Sequence, residues 1–434
     1  METMETSTTT FDGLLDSAAL SDTDLLAVSQ AGVYNPITQE DGDTRRLTIK
    51  KLLDYILQRT NLSELTDSTE NLGRVLISKA DLPFFALNSP FLITSGKRTL
   101  ILKAGTKIDY GTDQNRKTFF STEDMELNIP TLLDTGNLLN GKDYYIFVCP
   151  GDIIKVSLTK TAPSGMNAAD VELLGGFHTL CVGVSNGLTY VEGGVTKPHP
   201  LCDYVAGDIL PQSVWCLNHR PHSEPEGMVY IPSLDFWCDI YLQSGSGANT
   251  KSAYQAALTR SRQYVDHVED MLCVKKELLD DGEFAAAMLG SNEQTAVAGT
   301  NEAGATSGGA GGRVDTAGRR MLSIYGVEEG CGSLWQWLRT TSAAGVDGTM
   351  SGQTSAAGVS PVTYGWFSLT QSAYGPSGQA GGKGSYWGLC AALLAGGRWG
   401  AGAGCGSRAR AAVSARSCAS NDAGGRGRSR ALHG

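Results

Sequence analysis

The stretch "LLAGGRWGAGAGCGSRARAAVSARSCASNDAGGRGRSR", Leu393 to Arg430, decides how this chain is read. Gly, Ala, Ser and Arg dominate it, which is the composition of a solvated tail. Yet an apolar run leads into it and Trp399 lies inside it, and a tail needs neither. Between Arg398 and Gly434 there are seven Arg and one acidic residue, Asp422. Working outward, 32 of the 54 glycines lie between Gly290 and Gly434, a density that without a period marks a linker. Here it is interrupted by runs that carry Trp335, Trp337, Trp366 and Trp387. The economical reading is a loop-rich fold with an aromatic core, whose backbone uses Gly for dihedrals other residues avoid.

Upstream the patterns change twice. "GMVYIPSLDFWCDIYLQSG" (227–245) supplies two strand candidates, and helices, the first with a break, are predicted over 252–272 and 280–289. Asp280 and Glu283 stand at capping-box spacing, with Phe284, Ala287 and Met288 on one face. Residues 85–200 hold β-branched and aromatic runs broken by Gly, Asn and Pro, including "FFALNSPFLIT", "RTLILKAGTKIDYG", "KDYYIFVCPGDIIKVSLTK" and "FHTLCVGVS". They read as a small β domain, a sandwich or barrel. In residues 1–80, "DTDLLAVSQ" reads as a strand. In 42–60, Ile49, Leu52, Leu53, Ile56 and Leu57 recur at helical spacing. One helix with a strand or two buries little core, so this module is expected to oligomerise or dock.

The bulk numbers exclude several classes. A chain of 434 residues with 41% apolar and 18% charged residues is folded, and a net charge of −10 argues against general nucleic-acid binding. The ten cysteines form no CxxC, so neither a zinc site nor a disulfide framework is expected, only reduced and mostly buried thiols. The first residues lack a basic n-region and a long apolar h-region, and no apolar run approaches the ~20 residues of a membrane span. The expected origin is a host cytoplasm.

Four blocks taken together carry a resemblance. They are "GMVYIPSLDFWCDIYLQSGSGANT", "LLDDGEFAAAMLGSNEQT", "DTAGRRMLSIYGVEEGCGSLWQWL" and "LCAALLAGGRW…CGSRAR…GGRGRSR". Over roughly 201–434 the chain resembles the variable proteins of diversity-generating retroelements, whose founding member is a phage tropism determinant. "LSDTDLLAVSQAG" and "LTIKKLLDYI" are similar to the attachment ends of phage tail-fibre proteins. The resemblance implies an α+β protein. Its C-terminal domain (201–434) is C-type-lectin-like, of the formylglycine-generating-enzyme type, loop- and Gly-rich. A small β spacer domain (81–200) and a short α/β module (1–80) for tail attachment and oligomerisation precede it.

The resemblance also implies a mechanism of change. A reverse transcriptase copies a template RNA, errs at adenines, and the copy replaces the 3′ end of the gene. AAY codons become NNY, which never encode Lys, Glu, Gln, Met or Trp, and Gly400–Gly434 contains none of those five. The implied fixed frame is Gly396, Gly397, Trp399, Gly402, Cys405, Gly406, Ser407, Arg408, Arg410, Arg416, Gly424, Gly425, Arg426 and Gly427. The implied variable, ligand-binding positions, in a region of about 393–430, are Arg398, Gly400, Ala401, Gly404, Ala411, Val413, Ser414, Ser417, Cys418, Ser420 and Asp422. The partners implied are a bacterial surface receptor (protein or glycan), a phage tail, and copies of the chain itself, with a trimer as the candidate oligomer. The expected location is a virion tail, and the expected activity is adhesion without catalysis, cofactor or metal.

Two rival readings have specific tests. A formylglycine-generating enzyme uses a Cys pair. Laying "GGRWGAGAGCGSRAR" on that motif puts Ala401 and Gly406 where the two Cys belong, with Cys405 one residue out of place. "GGRGRSR" resembles Arg-Gly segments that bind RNA, but no Phe or Tyr follows Tyr386, so stacking partners are missing. The arginines are read instead as a basic rim. Calcium triplets of the EPN, QPD or WND type are absent from the sequence. "HRPHSEPEG" (219–227) is read as a Pro-rich linker rather than a metal loop, and Asp266, His267, Glu269 and Asp270 as a solvated helix face.

Overall fold

The computed structural model describes residues 82–342, 362–364, 367–369, 391–414 and 422–434. The expected N-terminal module, with its helix over 42–60, lies outside them, as do Trp366, Trp387, Ser417, Cys418 and Ser420.

The β-branched and aromatic runs after residue 82 form strands where alternation places one face inside. Phe84–Ala86, Thr106–Tyr110 and Lys117–Phe120 make one three-stranded sheet, and Leu92–Gly96, Thr99–Leu102 and Met125–Asn128 a second. Leu100, Leu102, Ile108 and Phe119 from these sheets share a core with Ile146, Val148 and Phe177. The "FHTLCVGVS" run is strand only as far as His178.

The larger part of the fold uses strands numbered here in chain order. They are β1 (Asp143–Cys149), β2 (Ile153–Ser157), β3 (Glu172–His178), β4 (Trp215–Cys216), β5 (His219–Pro221), β6 (Met228–Ile231) and β7 (Phe236–Asp239). Then come β8 (Glu277–Leu278), β9 (Trp335–Ser342), β10 (Ala391–Gly396), β11 (Gly406–Ser414), β12 (Ala423–Gly424) and β13 (Gly427–His433). A nine-stranded sheet runs β6-β7-β13-β5-β4-β3-β1-β2, with β8 also paired to β13. A four-stranded sheet runs β11-β10-β9-β12. The expected boundary near residue 200 does not interrupt hydrogen bonding. Trp215 stands opposite Gly176 and Cys216 opposite Gly175, so strands from both sides of it share one sheet.

Three expectations change on contact with tertiary structure. The helix predicted over 252–272 is α1 (Tyr264–Cys273) alone. Upstream of it, Gln255 and Ser261 take left-handed backbone conformations, and Ser252 Oγ accepts from Tyr241 N (3.0 Å) and donates to Gly227 O (2.7 Å). Those bonds to another segment replace a helical ladder. The segment read as a Pro-rich linker supplies β5, in the middle of the large sheet. Finally, the helix face read as solvated is half buried. His267 Nδ1 meets Gln243 Oε1 at 2.6 Å, Gln243 Nε2 donates to Asp270 Oδ2 at 2.7 Å, and Arg262 pairs with Asp270 at 2.9 Å. Burial pushes the His267 pKa down to about 4, so the ring is neutral.

The second helix, α2 (Asp281–Ala287), follows its sequence closely. Asp280 Oδ1 accepts from Glu283 N at 2.7 Å and Glu283 Oε2 from Asp280 N at 2.9 Å, a complete capping box. Phe284, Ala287 and Met288 are fully buried, in a core with Leu322, Val327, Leu338, Leu393 and Ala395. The result is mostly β with few short helices, less helical than an α+β reading implies. Among the described residues no helix is long and apolar enough to cross a membrane.

Candidate ligand-display face

The opening stretch folds as β10, a turn, β11 and, further on, β12 and β13. β10 and β11 pair antiparallel, with Ala391 opposite Ser414 and Ala395 opposite Arg410. The register then shifts, so that Gly396 faces Gly406. The extra residues bulge out as a turn over 397–405, ending in a short 3-10 segment at Gly402–Gly404.

Main-chain hydrogen bonds hold that turn almost throughout. Gly332 N donates to Gly396 O (3.1 Å), Trp399 N to Ser333 O (3.0 Å), Ala401 N to Arg398 O (3.0 Å) and Gly404 N to Ala401 O (2.8 Å). Gln294 N reaches back to Cys405 O (2.9 Å), while Ser407 N donates to Glu293 Oε1 (2.9 Å). Gly397 is obligatory. Its φ is +84°, and a Cβ there would sit 2.8 Å from Cys405 Sγ. Trp399 is half-buried rather than enclosed, packed on Val297, Ala305 and Met321.

Three arginines of the stretch, Arg410, Arg426 and Arg428, turn toward buried acceptors, which overturns their part in a basic rim; Arg398 and Arg430 are exposed. Arg410 is buried, forms an ion pair with Asp281, donates to Ser407 O and Ala409 O (2.9 Å each), and lies 5.1 Å from the Phe284 ring centroid. Arg428 meets Glu283 Oε1 at 2.6 Å. Arg426 is fully buried where the chain leaves β12 and enters β13, the crossing from one sheet to the other. Its guanidinium donates to Asp239 O (2.8 Å), Ile240 O (2.7 Å), Glu328 O (2.6 Å) and Gln336 Oε1 (2.7 Å). Burial lowers its pKa, and the fork is matched by acceptors from three separate segments. An RNA-binding Arg-Gly segment would need these cations in solvent.

Among the candidate variable positions, Arg398 and Gly400 are exposed, and Ala401, Gly404 and Asp422 are partly exposed. Arg398 Nη1 meets Asp422 Oδ2 at 2.6 Å, so two of them form an ion pair across 24 residues of chain. Ala411, Val413 and Ser414 lie on β11, opposite Leu394, Ala392 and Ala391. Sequence reasoning missed Glu293 and Ser333, which anchor the turn from outside; no spacing signal links either to residues more than sixty positions away.

Cys405 is the one cysteine of the turn. It is buried, hydrogen-bonded to Arg398 O at 3.3 Å, and burial with the nearby Glu293 charge pushes its pKa up to about 12. Among the described residues every cysteine is a free thiol, and all but Cys202 and Cys273 are buried.

This glycine-shaped turn, held by its own backbone, stands on a β frame whose fold is tropism-determinant-like, of the C-type-lectin type. Residues 90–216 match the family model described as Mtd second domain. The chain is 27% identical over 338 residues to the "Tail fiber receptor-binding protein" of Bordetella phage BPP-1, covering 73% of this chain and 75% of that one. Its fold is similar to the solved Major Tropism Determinant I1 variant (TM-score 0.58, 23% identity) and P3c variant (TM-score 0.57, 22% identity). Each alignment covers 81% of this chain and 86% of the other.

Proposed function

We propose that this chain is a phage or prophage receptor-binding protein, located at the virion tail, that engages a bacterial surface ligand. Contact is made through the turn 398–404 together with β11 and Asp422, a surface diversified by a retroelement. The carrying observation is that main-chain bonds fix the turn while Arg410 fixes β11 beside it, so positions 400, 401 and 404 have little structural duty. Substitution at such positions changes stability by about 0.5 kcal/mol or less. The name of the Bordetella phage relative supports the same reading. In this proposal 1–80 attach to the tail, 81–200 act as a spacer sharing strands with the next part, and 201–434 carry the ligand face. Adhesion proceeds without catalysis: Cys405 has no partner thiol in the turn and is held as a thiol.

This copy of the face is poor in hot-spot residues, since Gly400, Ala401 and Gly404 outnumber its one Arg among the exposed and partly exposed candidates described. Multivalency through a homo-oligomer, a trimer in this reading, would raise avidity by ~10²–10⁴. The test is a library varied at Arg398, Gly400, Ala401 and Gly404, scored for binding to intact bacteria and for melting temperature. Cell binding should change with the residues chosen while melting stays within a few degrees. Binding indifferent to all four positions would remove the assignment. A monomer by light scattering at micromolar concentration would remove the avidity argument.

A further inference from the structure

The large sheet brings two histidines into direct register, away from the display turn. His219 on β5 stands opposite His433 on β13, the last ladder pair of those strands. Their Nδ1 atoms are 3.3 Å apart, and the rings are tilted by 35° with centroids 5.2 Å apart. That separation lets one ring N–H donate to the other ring's nitrogen. It also matches the spacing of two imidazole nitrogens on one tetrahedral zinc, about 3.3–3.4 Å from Zn–N bonds of about 2.0–2.1 Å.

The surroundings complete the pattern. His433 Nε2 lies 2.8 Å from Asp235 Oδ1, which also accepts from Tyr230 Oη at 2.7 Å. A carboxylate on the far nitrogen orients a ligating imidazole and raises its basicity. His219 is buried against the rings of Tyr230 and Trp237, at 4.5 and 5.5 Å, so its orientation is set by packing. The His433 side chain is 46% exposed, which leaves an open side for water ligands. Among the described residues no three His, Cys, Asp or Glu side chains converge as a ligand set, so this is a two-histidine chelate and not a closed structural site.

We propose that His219 and His433 bind a divalent transition metal, zinc fitting best, which staples β13 to β5 behind the display frame. Imidazole suits zinc, copper and nickel, and the open positions would be filled by water. This site is independent of the receptor-binding reading, and either can fail alone.

The test is calorimetric titration of the reduced, chelator-treated full chain with zinc chloride. It is made in a Cys273→Ser background, because Cys273 is an exposed thiol. Saturable binding at one zinc per chain is expected, with a rise in melting temperature. His433→Ala, at a half-exposed position, should abolish both. Asp235→Asn should weaken binding about tenfold while His433 stays in place. Cobalt in place of zinc should give visible bands of nitrogen and oxygen ligation without a thiolate charge-transfer band. Equal zinc binding by His433→Ala, a thiolate band, or no saturable binding would each overturn the proposal.

Discussion

Arg426 is the residue whose loss the fold tolerates least. Replacing it by Ala removes the guanidinium from Glu328 O and Gln336 Oε1 in a closed interior, while Ile240 O keeps Glu328 N (2.8 Å) and Asp239 O keeps the Cys238 thiol (3.5 Å). Each orphaned acceptor costs about 1–3 kcal/mol before relaxation, so Arg426→Ala should destabilise by at least about 2 kcal/mol in denaturant unfolding. Arg426→Lys should recover little, because one ammonium cannot reach four diverging acceptors. A loss under about 1 kcal/mol would mean the guanidinium is not a keystone. Two glycines of the turn make a sharper contrast. Gly397→Ala forces a left-handed backbone and a clash with Cys405, for about 1–3 kcal/mol. Gly400 has nothing within 4 Å of an added Cβ and no positive φ, so Gly400→Ala should be neutral. Equal costs at the two would contradict the division between frame and display.

At the scale of elements, the display turn behaves as a bulge between two strands, not as a loop between domains. Its amides donate to Ser333 O and to carbonyls of the turn itself, Gly396 O accepts from Gly332 N, and α2 holds β11 through Asp281 and Arg410. Amide exchange over 393–410 should therefore be slow, with Trp399, Ala401 and Gly404 among the protected positions. Exchange at the rate of an unstructured peptide would mean there is no scaffold. The capping box of α2 was legible from Asp280 and Glu283 alone, because capping is local. The helix expected over 252–263 was not, because Ser252 and the left-handed Gln255 answer to segments distant in sequence.

For the whole molecule, burial of ionisable groups sets an acid limit. His199, His219 and His267 are held near pKa 4 by burial, below their ordinary 6.5, so the unfolded chain takes up their protons and stability falls as pH drops from 6.5 toward 4. Glu329, raised by burial to about 7 from 4.5, acts with the opposite sign between those values: there the folded chain holds a proton the unfolded chain lacks. The three histidines outweigh it, so stability falls with pH over this range, more steeply below 4.5. Thermal melts across pH should trace that fall, and Glu329→Gln should steepen it between 6.5 and 4.5. A midpoint flat over this range would show that the histidines are solvated.

The sequence alone determined what is local or compositional: the strand runs of 85–200, the α2 cap, and the apolar face of Phe284, Ala287 and Met288. It also carried the resemblance from which the glycine frame around Trp399 and the display positions were taken. Only the tertiary structure decided where charge goes. Seven arginines in a stretch with one acid look like a solvated basic surface, because the acceptors of three of them, at Asp239, Asp281, Glu283 and Glu328, lie ninety or more residues upstream. Folding brings those carbonyls and carboxylates onto the guanidinium groups of Arg410, Arg426 and Arg428, since burial of a cation is tolerable only where acceptors already surround it.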